Sequence, residues 1–321
     1  MQDRCKIDAR YAGHLSILTV PNMKNFLDIE PQFSSLDNAR IAIVQAPYEH
    51  TVSYGGGTKS GPKAIIDASA YVEFYDDETD RELCFDVGIA TDKPIAFGTA
   101  TDATALEKIR KRVAELLQMK KFVVTLGGEH TISAAPIAAH LEHYPKMSVL
   151  QFDAHSDLRE SYQGSPYSHA SVMARVAEMM PPKRITQVGI RALCSEERAF
   201  IRENKVNTFF ASALHKGDHG KHWAKKVVAT LGKDVYITFD VDALDPSIMP
   251  STGTPEPDGL TYHEAIEVVR EVVRSGRRIV GMDVVELAPV AKTPHPDLTT
   301  ARLLYKMLNL AFTSLPTGTK R

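Results

Sequence analysis

Residues 150–160 read "LQFDAHSDLRE" and set Asp153, His155 and Asp157 at every second position behind an apolar run. In a strand, positions i, i+2 and i+4 share one face, so carboxylate, imidazole and carboxylate emerge together at one strand end. Residues 235–243, "VYITFDVDA", repeat the device with Asp240 and Asp242. Two further apolar runs also end in ionisable groups. Residues 121–128 lead through "GGEH" to His130, and residues 278–286, "RIVGMDVVE", carry Asp283 and Glu286. Like charges crowded at a sheet edge repel and are costly to bury, unless cations sit among them. With neutral imidazoles, the set His130, Asp153, His155, Asp157, Asp240 and Asp242 carries one negative charge per aspartate, four in all. Two divalent cations balance that charge and one does not. Carboxylate and imidazole donors without thiolate favour a harder ion such as Mn²⁺ over a structural zinc. Two such ions can share a water and strip its proton near neutral pH, which is the chemistry of a hydrolase.

The elements that must position these groups are legible from hydrophobic period. Short β-branched runs at 39–47, 121–128, 147–155, 184–191, 235–243 and 278–286 read as strands, with another near 83–90. Helical patterns fall near 62–72, 103–120, 131–143, 168–180, 195–204, 219–231, 261–275 and 297–311. Strands alternating with helices, and apolar almost throughout, mean a parallel sheet covered on both faces. Ligand sites in such sheets lie beyond the carboxyl ends of the strands, where the ionisable residues stand. Pro62 suits the first turn of a helix, and Thr261 with Glu264 forms a capping box. Residues 1–321 read as one domain, of which 1–38 form an irregular arm over the surface or at a subunit contact.

Bulk composition narrows the function classes. The chain has 321 residues, 43% hydrophobic and 24% charged, the profile of a globular protein. A net charge of −2 gives no sign of a nucleic-acid or membrane-surface partner. No apolar stretch reaches the roughly 18 residues of a membrane span. Cys5, Cys84 and Cys194 are odd in number and far apart, so neither a disulfide framework nor a thiolate metal site is expected. A cytoplasmic location follows as the default.

Several blocks together resemble the arginase/agmatinase (ureohydrolase) family of binuclear manganese enzymes. "GGEHTIS" (127–133), "FDAHSD" (152–157) and "FDVDALDPSIMPSTGTPEPDGL" (239–260) resemble its three signature blocks in order and spacing. "YGGGTKSGPKAI" (54–65) and "DVVELAP" (283–289) resemble two further segments. The resemblance implies a three-layer α/β/α sandwich around a mainly parallel sheet of about eight strands. It implies two Mn²⁺ per subunit, one held by His130 and Asp157, the other by His155 and Asp242, with Asp153 and Asp240 bridging. A hydroxide held between them, hydrogen-bonded by Asp157, would attack the substrate's guanidinium carbon. Glu286 falls at the guanidinium-binding glutamate, where two carboxylate oxygens match a planar cation. His169, in "SPYSHASV", aligns with a histidine that shuttles a proton to the leaving amine. The loop 158–171 and "STGTPEPDGL", with Glu256 and Pro257, look like the agmatinase version, so agmatine is the expected substrate, with putrescine and urea as products. Sister substrates are guanidinobutyrate, guanidinopropionate, guanidine, arginine and formiminoglutamate. A homo-oligomer, trimer or hexamer, is also implied.

Other motifs read as structural. "YGGGTKSG" (54–61) lacks the Gly-Lys-Ser/Thr of a phosphate loop and serves as a turn into the Pro62 helix. His215, His219 and His222 read as a solvated helix start. His140 and His143 read as surface or packing residues. Asp245 reads as a turn cap before Pro246, and Asp283 as either a strand-end cap or a partner to a ligand. A single-metal deacetylase would not need both His130 and the Asp240–Asp242 pair. A non-catalytic scaffold would not need all six positions filled.

Overall fold

The computed structural model describes residues 24–313. Eight strands form one sheet: β1 (Ile41–Ala46), β2 (Ile89–Thr91), β3 (Phe122–Gly127), β4 (Ser148–Phe152), β5 (Ile185–Ile190), β6 (Asn207–Phe210), β7 (Asp234–Asp240) and β8 (Arg278–Val285). Their order is β2-β1-β3-β8-β7-β4-β5-β6, and every pairing is parallel. All residues of β1, β4 and β5 are buried, as continuous apolar strands between two helical layers should be. One layer holds helices Gly61–Ser69, Trp223–Ala229, Tyr262–Arg274 and His295–Ala311, and the other Asp102–Gln118, Ala134–His143 and Val172–Met179.

Connectivity explains where a site can form. The chain runs from β1 outward to β2, returns to β3 on the other side of β1, then skips two places to β4. Strands β7 and β8 later fill that gap. The carboxyl ends of β3, β8, β7 and β4 therefore stand side by side, and these are the four strands that end in ionisable residues.

Local signals in the sequence act as expected in several places. Proline starts the Gly61–Ser69 helix. Thr261 accepts from the Glu264 amide while Glu264 accepts from the Thr261 amide, closing the capping box. Three expectations need correction. Residues 83–87 are a short helix rather than strand; Gly88, at φ 70°, turns the chain and leaves only Ile89–Thr91 to pair with β1. Strand β6, "NTFF", was not expected, because four residues carry too little period to register. Of the expected arm, residues 1–23 lie outside the described residues, while Phe26 and Leu27 are fully buried in the core beside helix Gly61–Ser69. No helix among the described residues is long and apolar enough to cross a membrane.

Candidate metal centre and substrate cavity

The residues singled out by spacing converge. His130 opens a short 3₁₀ turn after β3, with its Nδ1 3.0 Å from Asp153 Oδ2, 3.1 Å from Asp157 Oδ2 and 3.3 Å from Asp240 Oδ2. His155 Nδ1 lies 3.0 Å from Asp242 Oδ2 and 3.6 Å from Asp153 Oδ1. Two three-residue groups result, His130–Asp153–Asp157 and Asp153–His155–Asp242, each with donor atoms close enough to hold one ion. Asp153 belongs to both and turns a different oxygen to each, the arrangement of a bridging carboxylate. Asp240 stands against the first group.

Two local devices bring these side chains inward. Gly128 lets the chain after β3 run against Tyr48, since a Cβ there would lie 2.0 Å from the Tyr48 carbonyl oxygen. Asp157 and Glu286 take left-handed backbone, φ 54° and 65°, which re-aims each side chain where regular structure ends. Non-glycine residues hold that conformation only when their surroundings over-determine it, and such sites cluster at functional centres.

A cation fits the first group by the arrangement of its donors. Thr238 Oγ1 gives its single proton to Asp283 Oδ1 at 2.7 Å, so at 2.9 Å from His130 Nε2 it must accept. A hydrogen therefore sits on Nε2, which leaves Nδ1, facing three carboxylates, as the nitrogen that could give a lone pair to a cation. That buried Nδ1 has no hydrogen-bond partner. An imidazole nitrogen crowded by carboxylate oxygens is a donor set that could hold a cation. Among themselves the groups are electrostatically frustrated. Burial, then the charge of Asp153, raises Asp157 to about 7. Burial, then Asp242, pushes Asp240 well above the usual carboxylate range. Burial alone would depress His130, but Asp153, Asp157 and Asp240 outweigh it and raise it well above the usual imidazole range.

His169 and Glu286 lie beside this centre. His169 Nδ1 is 3.2 Å from Thr51 Oγ1, and that hydroxyl donates to Glu129 Oε1 at 3.1 Å, so Nδ1 carries the hydrogen and Nε2 is the free base. Burial, then the nearby His155 charge, lowers His169 to about 4, leaving it neutral at physiological pH. Glu286 Oε1 accepts the His130 amide at 2.6 Å, which ties the carboxylate to the turn that carries His130. A cavity of about 250 Å³ is lined by His155, Asp157, Arg159, Tyr162, His169, Leu193, Glu197 and Glu256, among others. A narrower recess at the same mouth reaches Glu129, Gly253 and Glu286.

Sequence reasoning missed Gln151, Thr238, Thr51 and Glu129. Gln151 donates to Asp153 Oδ2 at 2.7 Å, as Thr238 supports His130. Both sit two residues ahead of an aspartate on the same strand face, so period 2 extended one step back would have found them. Asp283 resolves as a partner that accepts from Thr238, Ser133 and Tyr236. Asp245 is a turn cap, accepting from Ser247 and Gly259 amides. His215 pairs with Asp258 at 2.7 Å, and His140 is a buried packing residue.

Residues 39–310 match the arginase family, and the chain belongs to it. It is accordingly an enzyme of the ureohydrolase class. It is 35% identical over 291 residues to the N(1)-aminopropylagmatine ureohydrolase of Synechocystis sp., spanning 89% of this chain and 93% of that one. It is 36% identical over 281 residues to the agmatinase of Bacillus cereus, spanning 86% and 91%. The crystal structure of a putative agmatinase from Clostridium difficile superposes with a TM-score of 0.78 at 28% identity, covering 86% of this chain and 98% of that one.

Proposed function

We propose that the protein hydrolyses the guanidino C–N bond of agmatine, giving putrescine and urea, with two Mn²⁺ as cofactors. The observation that carries this reading is the bridging position of Asp153 between two donor groups, next to the Glu286 carboxylate held by the His130 amide. His130 and Asp157 would hold one ion, His155 and Asp242 the other, with Asp153 and Asp240 shared. Metals so bound supply Lewis acidity that lets a water lose its proton near neutral pH. Glu286 accepts hydrogen bonds from the guanidinium and keeps its plane facing the attacking oxygen. Asp157 holds the attacking water's hydrogen and fixes its approach. His169 Nε2, neutral and unprotonated, takes a proton and delivers it to the departing amine as the C–N bond breaks. Thr51 and Glu129 hold His169 in that tautomer.

A second reading is an aminopropylated agmatine, favoured by a cavity of about 250 Å³ whose lining includes Tyr162 and Leu193 as well as His169. The protein works as a homo-oligomer of trimer or hexamer type in the same proposal. Urea release by the Mn²⁺-loaded protein distinguishes the substrates across agmatine, aminopropylagmatine, arginine, guanidinobutyrate, guanidinopropionate and guanidine. Agmatine should dominate. Dominance of aminopropylagmatine supports the second reading, and no urea from any of them overturns both.

A further inference from the structure

Resting on the ureohydrolase reading, we infer that Glu256 is the specificity residue that receives the cationic far end of the substrate. Besides His155, Asp157 and His169, three residues with charge-bearing side chains line the outer cavity: Arg159, Glu197 and Glu256. Two of them answer each other. Arg159 Nε lies 3.6 Å from Glu197 Oε2, and its guanidinium lies over the Tyr162 ring at 5.1 Å. Glu197 is buried and further satisfied, accepting from the Leu158 amide at 3.0 Å and the Cys194 amide at 2.8 Å. The Glu256 carboxylate has no hydrogen-bond or ion-pair partner among the described residues. Of these three, the Glu256 side chain alone is left without a partner among the described residues.

That carboxylate stands on a fixed backbone. Arg191 Nη2 donates to the Glu256 carbonyl at 2.8 Å and to the Asp242 carbonyl at 2.7 Å. Arg191 Nε adds the Pro257 carbonyl at 2.9 Å. One guanidinium thus ties the segment that carries Glu256 to the segment that carries a candidate metal ligand. Held at a set position relative to the reacting end, Glu256 selects a guanidino compound whose other end is an ammonium. It disfavours a guanidino acid, whose carboxylate would meet like charge. Tyr162 and Leu193 offer the intervening methylenes an apolar wall.

The test compares agmatine with pentylguanidine, which replaces the ammonium by a methyl of similar size. In Glu256→Gln, KM for agmatine should rise by about tenfold, from loss of one partly exposed charge-assisted hydrogen bond. KM for pentylguanidine and kcat for both should move by less than about threefold. Parallel rises for the two compounds, or no change for either, overturn the assignment. Glu256→Lys should in addition bring guanidinobutyrate above agmatine in kcat/KM, and an unchanged order overturns it. Calorimetric binding of agmatine to Mn²⁺-loaded protein separates this inference from the reading beneath it. Binding that needs Glu256 but yields no urea upholds tail recognition and sinks hydrolysis of agmatine. Urea formation with unaltered KM in Glu256→Gln does the reverse.

Discussion

Replacing Thr238 by valine removes one hydroxyl, keeps the branched shape and tests the tautomer lock behind His130. The wild-type hydroxyl has one proton to give, and Asp283 Oδ1 takes it at 2.7 Å, so the contact at 2.9 Å to His130 Nε2 is an N–H donated to Thr238. In Thr238→Val that buried N–H loses its acceptor, at a cost of about 1–3 kcal/mol. Asp283 keeps Ser133 and Tyr236, so the damage is concentrated on the imidazole. The ring is then free to move its hydrogen to Nδ1, where a metal needs a lone pair. Loss of such outer partners weakens metal affinity by about 10–100-fold, roughly 1.4–2.8 kcal/mol, in line with the cost of the orphaned donor. Calorimetric titration of metal-stripped protein with Mn²⁺ reads this without turnover. The ion on the His130 side should weaken by that factor, the ion on the His155 side by less than about threefold, and Thr238→Ser should recover the wild-type curve. Unchanged affinity at both sites, or equal weakening at both, would refute the tautomer argument.

Four other outcomes are expected. Glu286→Gln should raise KM and lower kcat together in steady-state urea assays, and unaltered kinetics would remove it from the substrate site. His169→Ala should lower kcat by about 10²-fold at full metal content; a loss below threefold would pass the proton transfer to another group. His140 is buried with Nε2 lacking a partner, and burial lowers it to about 4, against roughly 6.5 in the unfolded chain. The unfolded chain therefore binds more protons between those values, so this stabilisation is complete above about pH 6.5 and lost as pH falls toward 4, about 3 kcal/mol in all. Urea denaturation from pH 7 to 4 should show a shallower decline in His140→Phe, and parallel declines would contradict it. Gly128→Ala should destabilise by about 3 kcal/mol or more, because the new Cβ overlaps the Tyr48 carbonyl, and a thermal midpoint within 2 °C of wild type, roughly the scale of 1 kcal/mol in a chain of this size, would contradict the close approach.

Much of the centre was legible because apolar strands end in closely spaced ionisable residues. The spacing of Asp153, His155 and Asp157, and of Asp240 and Asp242, singled out residues that the structure brings together. But β4 ends at Phe152, Asp157 takes left-handed backbone and Asp242 lies in a 3₁₀ turn, so they converge beyond the strand ends and not along a shared strand face. What makes β3, β8, β7 and β4 neighbours is the sheet order, which no local pattern encodes. The supports were hidden for a different reason. Thr238 and Gln151 look like ordinary polar residues in apolar strands, and only the identity of their partners gives them meaning. Thr51 and Glu129 reach His169 across 118 and 40 residues of chain, a long-range pairing with no trace in composition. The helix at Leu83–Val87 was misread because "LCFDVGIA" is apolar at either period, and the left-handed turn at Gly88 decides between them.

The centre itself is tested most directly by electron paramagnetic resonance of metal-stripped protein titrated with Mn²⁺. Two ions per chain should bind, and the spectrum should change from an isolated-ion pattern to a spin-coupled one as the second site fills. Asp153→Ala should abolish that coupling, because its two oxygens face the two donor groups. A single bound ion, or two with no coupling in the wild type, would contradict a shared two-cation site.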